Sequence, residues 1–261
     1  MCYAYKDSKK EEELIEHLIT TANICLKRWE LEALSLKVSR LLNIDMEKVK
    51  EAVILASMLH DIGKAAEIYQ KECFNGICTR FQGHYLVSAF ILHLVLNVGN
   101  VRIEEEDVEK FLTDNFNRLG KDKIYAMLIV LPVAFHHYHQ VRGFESFNAS
   151  VSEVVLQFLE DPRICARCLE KAGNMLSYDI VGKSGRRFIE QLYYVLRSIE
   201  QYVDSDVYRN SKIFIRNLFS VVKKDLKSFA EYPITLGKTI IESVYGLVNF
   251  CDGWAASMKR R

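Results

Sequence analysis

Apolar residues recur every three or four positions along almost the whole chain, and only three prolines and twelve glycines interrupt them. This pairing constrains the fold more than any other feature. A 3.6-residue period gives each helix one apolar stripe, and scarce proline and glycine leave few places to break a helix. Residues 11–29 show the pattern, with Leu14, Ile15, Leu18, Ile19, Ala22 and Leu26 on one face and His17 at its edge. The same period predicts helices over 31–42, 46–59, 64–73, 83–98, 104–119, 121–138, 147–159, 162–178, 186–202, 207–229 and 235–258. Gly63 reads as a stop signal after the helix at 46–59. No convincing strand pattern or repeat is visible, although small hairpins fit 74–81, where Asn75-Gly76 marks a turn, and 138–147. The expected fold is all-α, a helical bundle with additional C-terminal helices. With 261 residues, 49% of them hydrophobic, the chain can bury one large core. No linker rich in Pro, Gly or Ser divides it, so 1–261 is expected to be a single domain.

Composition removes several function classes. A formal net charge of +1 provides no global basic field, so any nucleic-acid contact must be local. No apolar run spans a bilayer; 124–135 is interrupted by Pro132 and reads as a buried helix. Residues 1–13 are polar and charged, unlike a signal peptide. A soluble cytoplasmic protein without membrane partners is therefore expected. Seven cysteines is an odd number, and a chain of this size does not need staples, which argues against a secreted disulfide scaffold. Glutamine is scarce beside lysine and glutamate, a trait of thermophilic chains, in which intracellular disulfides do occur.

The residues that carry chemistry centre on the run Met58-Leu59-His60-Asp61-Ile62-Gly63-Lys64. His60 and Asp61 form a mixed nitrogen/oxygen ligand pair, and Lys64 can meet an anion at the same place. Adjacent residues near a helix end can both turn into one cavity. A carboxylate can bridge two cations, and such a pair clamps both the attacking and the leaving oxygens of an in-line displacement. His17, His84, His136, His137 and Asp252 are further ligand types, so that five of the seven histidines fall in the set. Asp252 lies in a weakly polar segment, where a carboxylate is costly to bury unless it is paired or ligating. Taken singly, most of these residues read better as a satisfied core histidine, a helix cap or a surface group, and His93 reads as structural. Jointly they point to a metal-dependent hydrolase acting on a phosphate ester.

The ordered set resembles the HD superfamily of metal-dependent phosphohydrolases: His17, then His60-Asp61 with Gly63-Lys64, then His84, His136-His137 and finally Asp252. The flanks narrow the resemblance to the CRISPR-associated HD nucleases. Leu14-Ile15-Glu16-His17-Leu18, His84-Tyr85-Leu86-Val87-Ser88-Ala89, Phe135-His136-His137 and Asp252-Gly253-Trp254-Ala255-Ala256-Ser257 each resemble a segment of that family. The resemblance implies a two-metal nuclease that cleaves single-stranded DNA in type I CRISPR interference. His17, His60, Asp61 and Asp252 would hold one ion. Asp61, His84, His136 and His137 would hold the other, with Asp61 bridging. Lys64 would sit near the scissile phosphate, and Ser257 would support the Asp252 region or the substrate. Tyr85 and Gly83 depart from the glutamate and arginine frequent in relatives. More than a hundred residues separate His137 from Asp252, so 143–243 is expected to be a helical insertion that shapes a groove or docks a partner. The chain stops nine residues after Asp252, which in this family implies a stand-alone subunit. Its partners would be a separate CRISPR helicase subunit and the RNA-guided surveillance complex. Gly182-Lys183-Ser184 looks like the end of a phosphate-binding loop, but Ser177 stands where that loop needs glycine, so it reads as a basic loop.

Mixed His/Asp ligation suits divalent transition metals such as Mn, Co or Ni, and Mg could also serve. Tyr85, Phe135, Tyr138, Phe144 and Trp254 lie near the motifs and could stack a base. Arg142, Lys183, Arg186 and Arg187 could track phosphates, whereas Lys223, Lys224, Lys227 and the tail 259–261 read as solvated surface. Cys73 with Cys78 and Cys165 with Cys168 have the spacing of structural zinc pairs, and could equally be free thiols or local disulfides. Cys2, Cys25 and Cys251 are expected to be unpaired. Two other functions compete with the nuclease: an HD phosphohydrolase acting on nucleotides or nucleoside phosphates, and a scaffold without activity.

Overall fold

A computed structural model describes residues 1–137, 152–177, 182–227 and 235–259. A short antiparallel pair, β1 (Tyr3–Lys6) and β2 (Glu11–Glu13), leads into α1 (Leu14–Leu26). There follow α2 (Trp29–Leu42), α3 (Met46–Leu59), a 3-10 turn (Ile62–Ala65), α4 (Glu67–Asn75), α5 (His84–Val98), α6 (Glu105–Leu112) and α7 (Lys121–Phe135). The second half contributes α8 (Glu153–Glu160), α9 (Ala166–Ala172), α10 (Lys183–Ser198), α11 (Asp206–Lys227) and α12 (Leu236–Lys259). The all-α architecture expected from the periodicity is present, and most helix bounds fall within a few residues of their predicted positions.

The central helices are α3, α5 and α7. On α5 nearly every side chain from Leu86 to Leu96 is buried, and on α7 every one from Ala126 to Ala134. Helices that are apolar all round belong in a core. α3 packs between α7 and α1, α5 packs on α7, the 3-10 turn and α11, and α12 closes over α1, α7 and α3. Local signals set the ends. Asp45 caps α3 by accepting from the Glu47 amide at 3.0 Å, and Glu13 caps α1 by accepting from the Glu16 amide at 2.7 Å. A capping box of Glu104 and Asp107 starts α6. Asn43, at φ 51°, ends α2 in the left-handed region. Gly182 precedes α10 with no strand before it among the described residues, which disposes of the phosphate-loop reading.

Three expectations are corrected. The N-terminal residues form a strand pair, with Tyr5 opposite Glu12 and Lys6 opposite Glu11. Lys6 also exchanges backbone hydrogen bonds with Cys78, at 3.1 and 2.9 Å, so 74–81 joins the N-terminus rather than folding on itself. Gly63 does not stop α3, which ends at Leu59. It lies inside the 3-10 turn, where a Cβ would meet the His84 carbonyl oxygen at 2.3 Å and the Ser88 nitrogen at 2.6 Å. It is glycine because α5 passes there. Finally, the structural zinc reading of Cys73, Cys78, Cys165 and Cys168 is overturned, and with it the expectation that Cys2 is unpaired. Cys2 is bonded to Cys168 and Cys73 to Cys78, leaving Cys165 free and buried. A sulfur committed to a disulfide offers no thiolate to zinc. Cys2 reaches Cys168 because the strand pair folds the N-terminus back, with the Leu14 amide donating to the Cys2 carbonyl at 2.7 Å. Cys25 and Cys251 are free and buried, as expected. The hairpin suggested for 138–147 lies outside the described residues.

Candidate metal centre

Seven ligand-type side chains converge from five places in the fold. His17 comes from the second turn of α1, His60 and Asp61 from the exit of α3, and His84 from the first residue of α5. His136 and His137 follow the end of α7, and Asp252 comes from the last two turns of α12. The backbone leaves helical geometry at Asp61 (φ −108°, ψ 10°), which turns neighbouring side chains toward one centre. Two sets form, His17/His60/Asp61/Asp252 and Asp61/His84/His136/His137, each with ligand atoms within 4.8 Å of one another.

Asp61 belongs to both, and its two oxygens face different ways. Oδ1 is 2.8 Å from His84 Nε2 and 3.3 Å from His136 Nε2. Oδ2 is 2.6 Å from Lys64 Nζ, 3.5 Å from His60 Nε2 and 4.0 Å from His17 Nε2. Asp252 Oδ1 completes the first set at 3.0 Å from His17 Nε2 and 3.5 Å from His60 Nε2. In the second, His137 Nε2 lies 2.9 Å from His84 Nε2.

The ring tautomers are fixed from behind. His60 Nδ1 donates to the Ser57 carbonyl at 2.9 Å, His136 Nδ1 to Val133 at 2.6 Å, and His84 Nδ1 to Phe81. His17 Nδ1 instead donates to Glu12 Oε1 at 2.8 Å. A proton held on Nδ1 leaves Nε2 with its lone pair directed inward. Lone pairs therefore face carboxylate oxygens and one another in a buried space, and the Nε2 atoms of His17 and His60 have no hydrogen-bond partner among the described residues. Buried acceptors without donors are costly, and cations answer that cost. On this ground the donor set fits divalent metal ions, and the outer partners match the usual support of ligating imidazoles.

The electrostatics agree. Burial works against ionisation of Asp61, but the Lys64 ammonium and the His60 and His84 imidazoles hold its carboxyl well below the usual range. Burial is likewise outweighed at Asp252 by the adjacent His17 and His60 imidazoles, which hold its carboxyl well below the usual range. Burial also opposes a charge on His17, yet Asp252 and Glu12 raise its imidazole to about 9, so this position strongly attracts positive charge. In the second set, burial lowers His84 despite Asp61, and burial with the neighbouring His136 and His84 lowers His137 to about 3. Those rings are neutral donors at neutral pH.

Other sequence candidates fall in different places. Lys64 is buried, ion-paired to Asp61, and lies 4.9 Å from the Phe81 ring centroid. Ser257 bonds its own helix through the Trp254 carbonyl at 2.8 Å, not Asp252. Tyr85 is half-buried, its ring 5.8 Å from that of His137. Phe135 is half-buried, and Trp254 is exposed beneath the Arg28 guanidinium. Lys183, Arg186, Arg187 and Lys259 are exposed, the last paired with Glu16. His93 lies outside both sets. Its ring bonds Ser211 and the Ile103 carbonyl, each at 3.0 Å. Tyr138, His139, Arg142, Phe144, Arg260, Arg261 and the side chains of Lys223, Lys224 and Lys227 lie outside the described residues. No sequence motif marks Glu12. It sits five positions before His17, where helical periodicity does not align it, and only the strand at 11–13 brings it behind the ring.

Comparison with known proteins gives an independent finding. The family described as "Cas3, HD domain" matches residues 4–138. The CRISPR-associated endonuclease Cas3-HD of Methanocaldococcus jannaschii is 31% identical over 149 residues, covering 51% of this chain and 48% of that protein. The match thus spans about half the length of that relative. No solved structure matches significantly.

Proposed function

The chain belongs to the family of Cas3 HD domains, and from that premise we propose that it is a metal-dependent nuclease. It hydrolyses phosphodiester bonds of single-stranded DNA in CRISPR interference. The observation that carries this reading is Asp61. Its two oxygens face two different sets of inward-directed imidazole nitrogens. That arrangement suits a pair of divalent cations, Mn, Mg, Co or Ni, with Asp61 as the shared ligand. His17, His60 and Asp252 serve one position; His84, His136 and His137 serve the other.

When bound, two such cations would lower the pKa of water and polarise the phosphate, so no covalent enzyme intermediate would be required. The chain's own residues do the rest. The carbonyls of Ser57, Phe81 and Val133 and the Glu12 carboxylate hold the imidazoles in the ligating tautomer. Lys64 tethers Asp61 through Oδ2 and brings a positive charge beside the position of the scissile phosphate. The Tyr85 ring, against His137, borders the second set where a base can stack. The described helices α8 to α11, within the 143–243 segment, belong to an insertion in one domain and offer a surface to partners. Those partners are a separate CRISPR helicase subunit and the RNA-guided surveillance complex, in the cytoplasm. No described helix is long and apolar enough to cross a membrane.

The test is cleavage by metal-stripped protein of single-stranded DNA, with Mn, Mg, Co and Ni offered in turn beside an Asp61→Ala variant. Metal-dependent cleavage that the variant lacks is the expected result. Hydrolysis of nucleotide monomers but not of DNA would replace this reading with that of a nucleotide phosphohydrolase.

A further inference from the structure

The two ligand sets are not equivalent, and the difference lies behind the ligands. His60, His84 and His136 each rest on a neutral backbone carbonyl. His17 rests on a carboxylate, Glu12 Oε1, at 2.8 Å. Glu12 is 3% exposed and His17 is 1% exposed, so water screens this pair little. A carboxylate partner withdraws the Nδ1 proton toward itself and makes Nε2 a stronger donor than a carbonyl partner does. Glu12 is also pre-positioned, because its backbone pairs with Tyr5 across the strand pair and does not depend on a mobile loop.

Charge adds to this. Asp61 is common to both sets. The first also has Asp252, and Glu12 stands one imidazole away, while Lys64 on Asp61 Oδ2 offsets one negative charge. The second set has three imidazoles and no carboxylate beyond the shared Asp61. A dication therefore meets the stronger field at the first.

We infer that Glu12 is a positioning residue acting through His17, and that it makes the His17/His60/Asp61/Asp252 position the tighter of two cation positions, filled first. This rests on the two-cation reading above and adds an order of loading to it.

The experiment is calorimetric titration of metal-stripped protein with MnCl2, comparing wild type with Glu12→Gln and Glu12→Ala. Thermal unfolding of each metal-free protein is recorded alongside. Wild type should take up two ions in a tighter and a weaker event. Glu12→Gln keeps the side-chain volume and an acceptor for Nδ1 but loses the charge. It should weaken the tighter event by roughly ten- to a hundredfold, the usual cost of losing an outer partner, and leave the weaker one unchanged. Glu12→Ala should weaken it at least as much. An unchanged tight event in both variants overturns the inference, as does equal weakening of both events, which marks a general disturbance of the fold. If wild type binds no manganese, the two-cation reading falls and this inference falls with it. If wild type binds two ions and the variants do likewise with unaltered affinities, only the role of Glu12 falls.

Discussion

At the residue scale, Asp61 does two jobs that can be separated. It links the two ligand sets through Oδ1 and Oδ2, and it neutralises Lys64, which is only 8% exposed. Asp61→Asn should reduce metal-dependent cleavage by more than the roughly 10- to 100-fold typical of an outer partner. It should also destabilise the protein, because breaking a buried ion pair costs about 3–5 kcal/mol. Removing the stranded charge as well, in Asp61→Asn/Lys64→Met, should restore much of the unfolding midpoint in urea but none of the cleavage. Recovery of both together would show that Asp61 acts only as the partner of Lys64. His93 carries a different prediction. Burial depresses its pKa from 6.5 to about 4. Between those values the unfolded chain takes up a proton that the folded chain refuses. Stability is therefore full above pH 6.5 and falls as the pH drops toward 4. At pH 5 the loss from this ring is about 2 kcal/mol. Urea unfolding at pH 7 and pH 5 should show that loss shrinking in His93→Gln, with the difference in slope isolating this ring from the other histidines. The His/Asp ligand types could be read from the sequence because so few residues offer such chemistry. Glu12 could not, because in a run of three glutamates nothing local distinguishes the one that meets His17.

At the scale of elements, the helices were legible because each buries one stripe, and that stripe is written into the sequence every three or four residues. The strand pair was not, because its four and three residues depend on partners far along the chain. Lys6 bonds to Cys78, and the Tyr3 backbone is held by the Gln70 side chain at 2.8 and 2.9 Å. The role of Gly63 is hidden from the sequence for a similar reason. A glycine after a helix signals a stop, whereas here it marks where α5 crosses the 3-10 turn, its amide donating to Ser88 Oγ at 2.8 Å. Gly63→Ala forces a methyl against the backbone of His84 and Ser88, which cannot rotate away. It should cost about 1–3 kcal/mol as overpacking. Because His84 opens α5, the variant should also weaken manganese binding at the second position by calorimetry. Gly76→Ala is the matched control, since a Cβ there meets nothing within 4 Å. Unfolding midpoints of the two variants should differ clearly; equal midpoints would show that α5 shifts freely.

At the scale of the whole molecule, the candidate centre exists only because distant parts close on one another. His17 and Asp252 are 3.0 Å apart at Nε2 and Oδ1, yet they sit near opposite ends of the chain. The order of such residues can be read in a sequence, but their meeting is a property of the packed core. The same holds for covalent closure. The Cys2–Cys168 bridge spans 166 residues, whereas Cys73–Cys78 spans 5. In the chain-entropy view a bridge acts by restricting the unfolded state, increasingly so for longer loops. The long bridge should then stabilise by about 3 kcal/mol more than the short one, from the logarithm of the two loop lengths. It also anchors the end of β1, whose Ala4 carbonyl accepts from Lys64 at 3.4 Å, while Glu12 on β2 backs His17. Cys2→Ser/Cys168→Ser should therefore lower stability in urea more than Cys73→Ser/Cys78→Ser. It should also weaken the tighter manganese event, because the strand pair that carries Glu12 loses its covalent anchor. If the long-bridge variant loses stability but keeps manganese affinity, the strand pair is held by its own hydrogen bonds and by Gln70, and the bridge serves the fold alone.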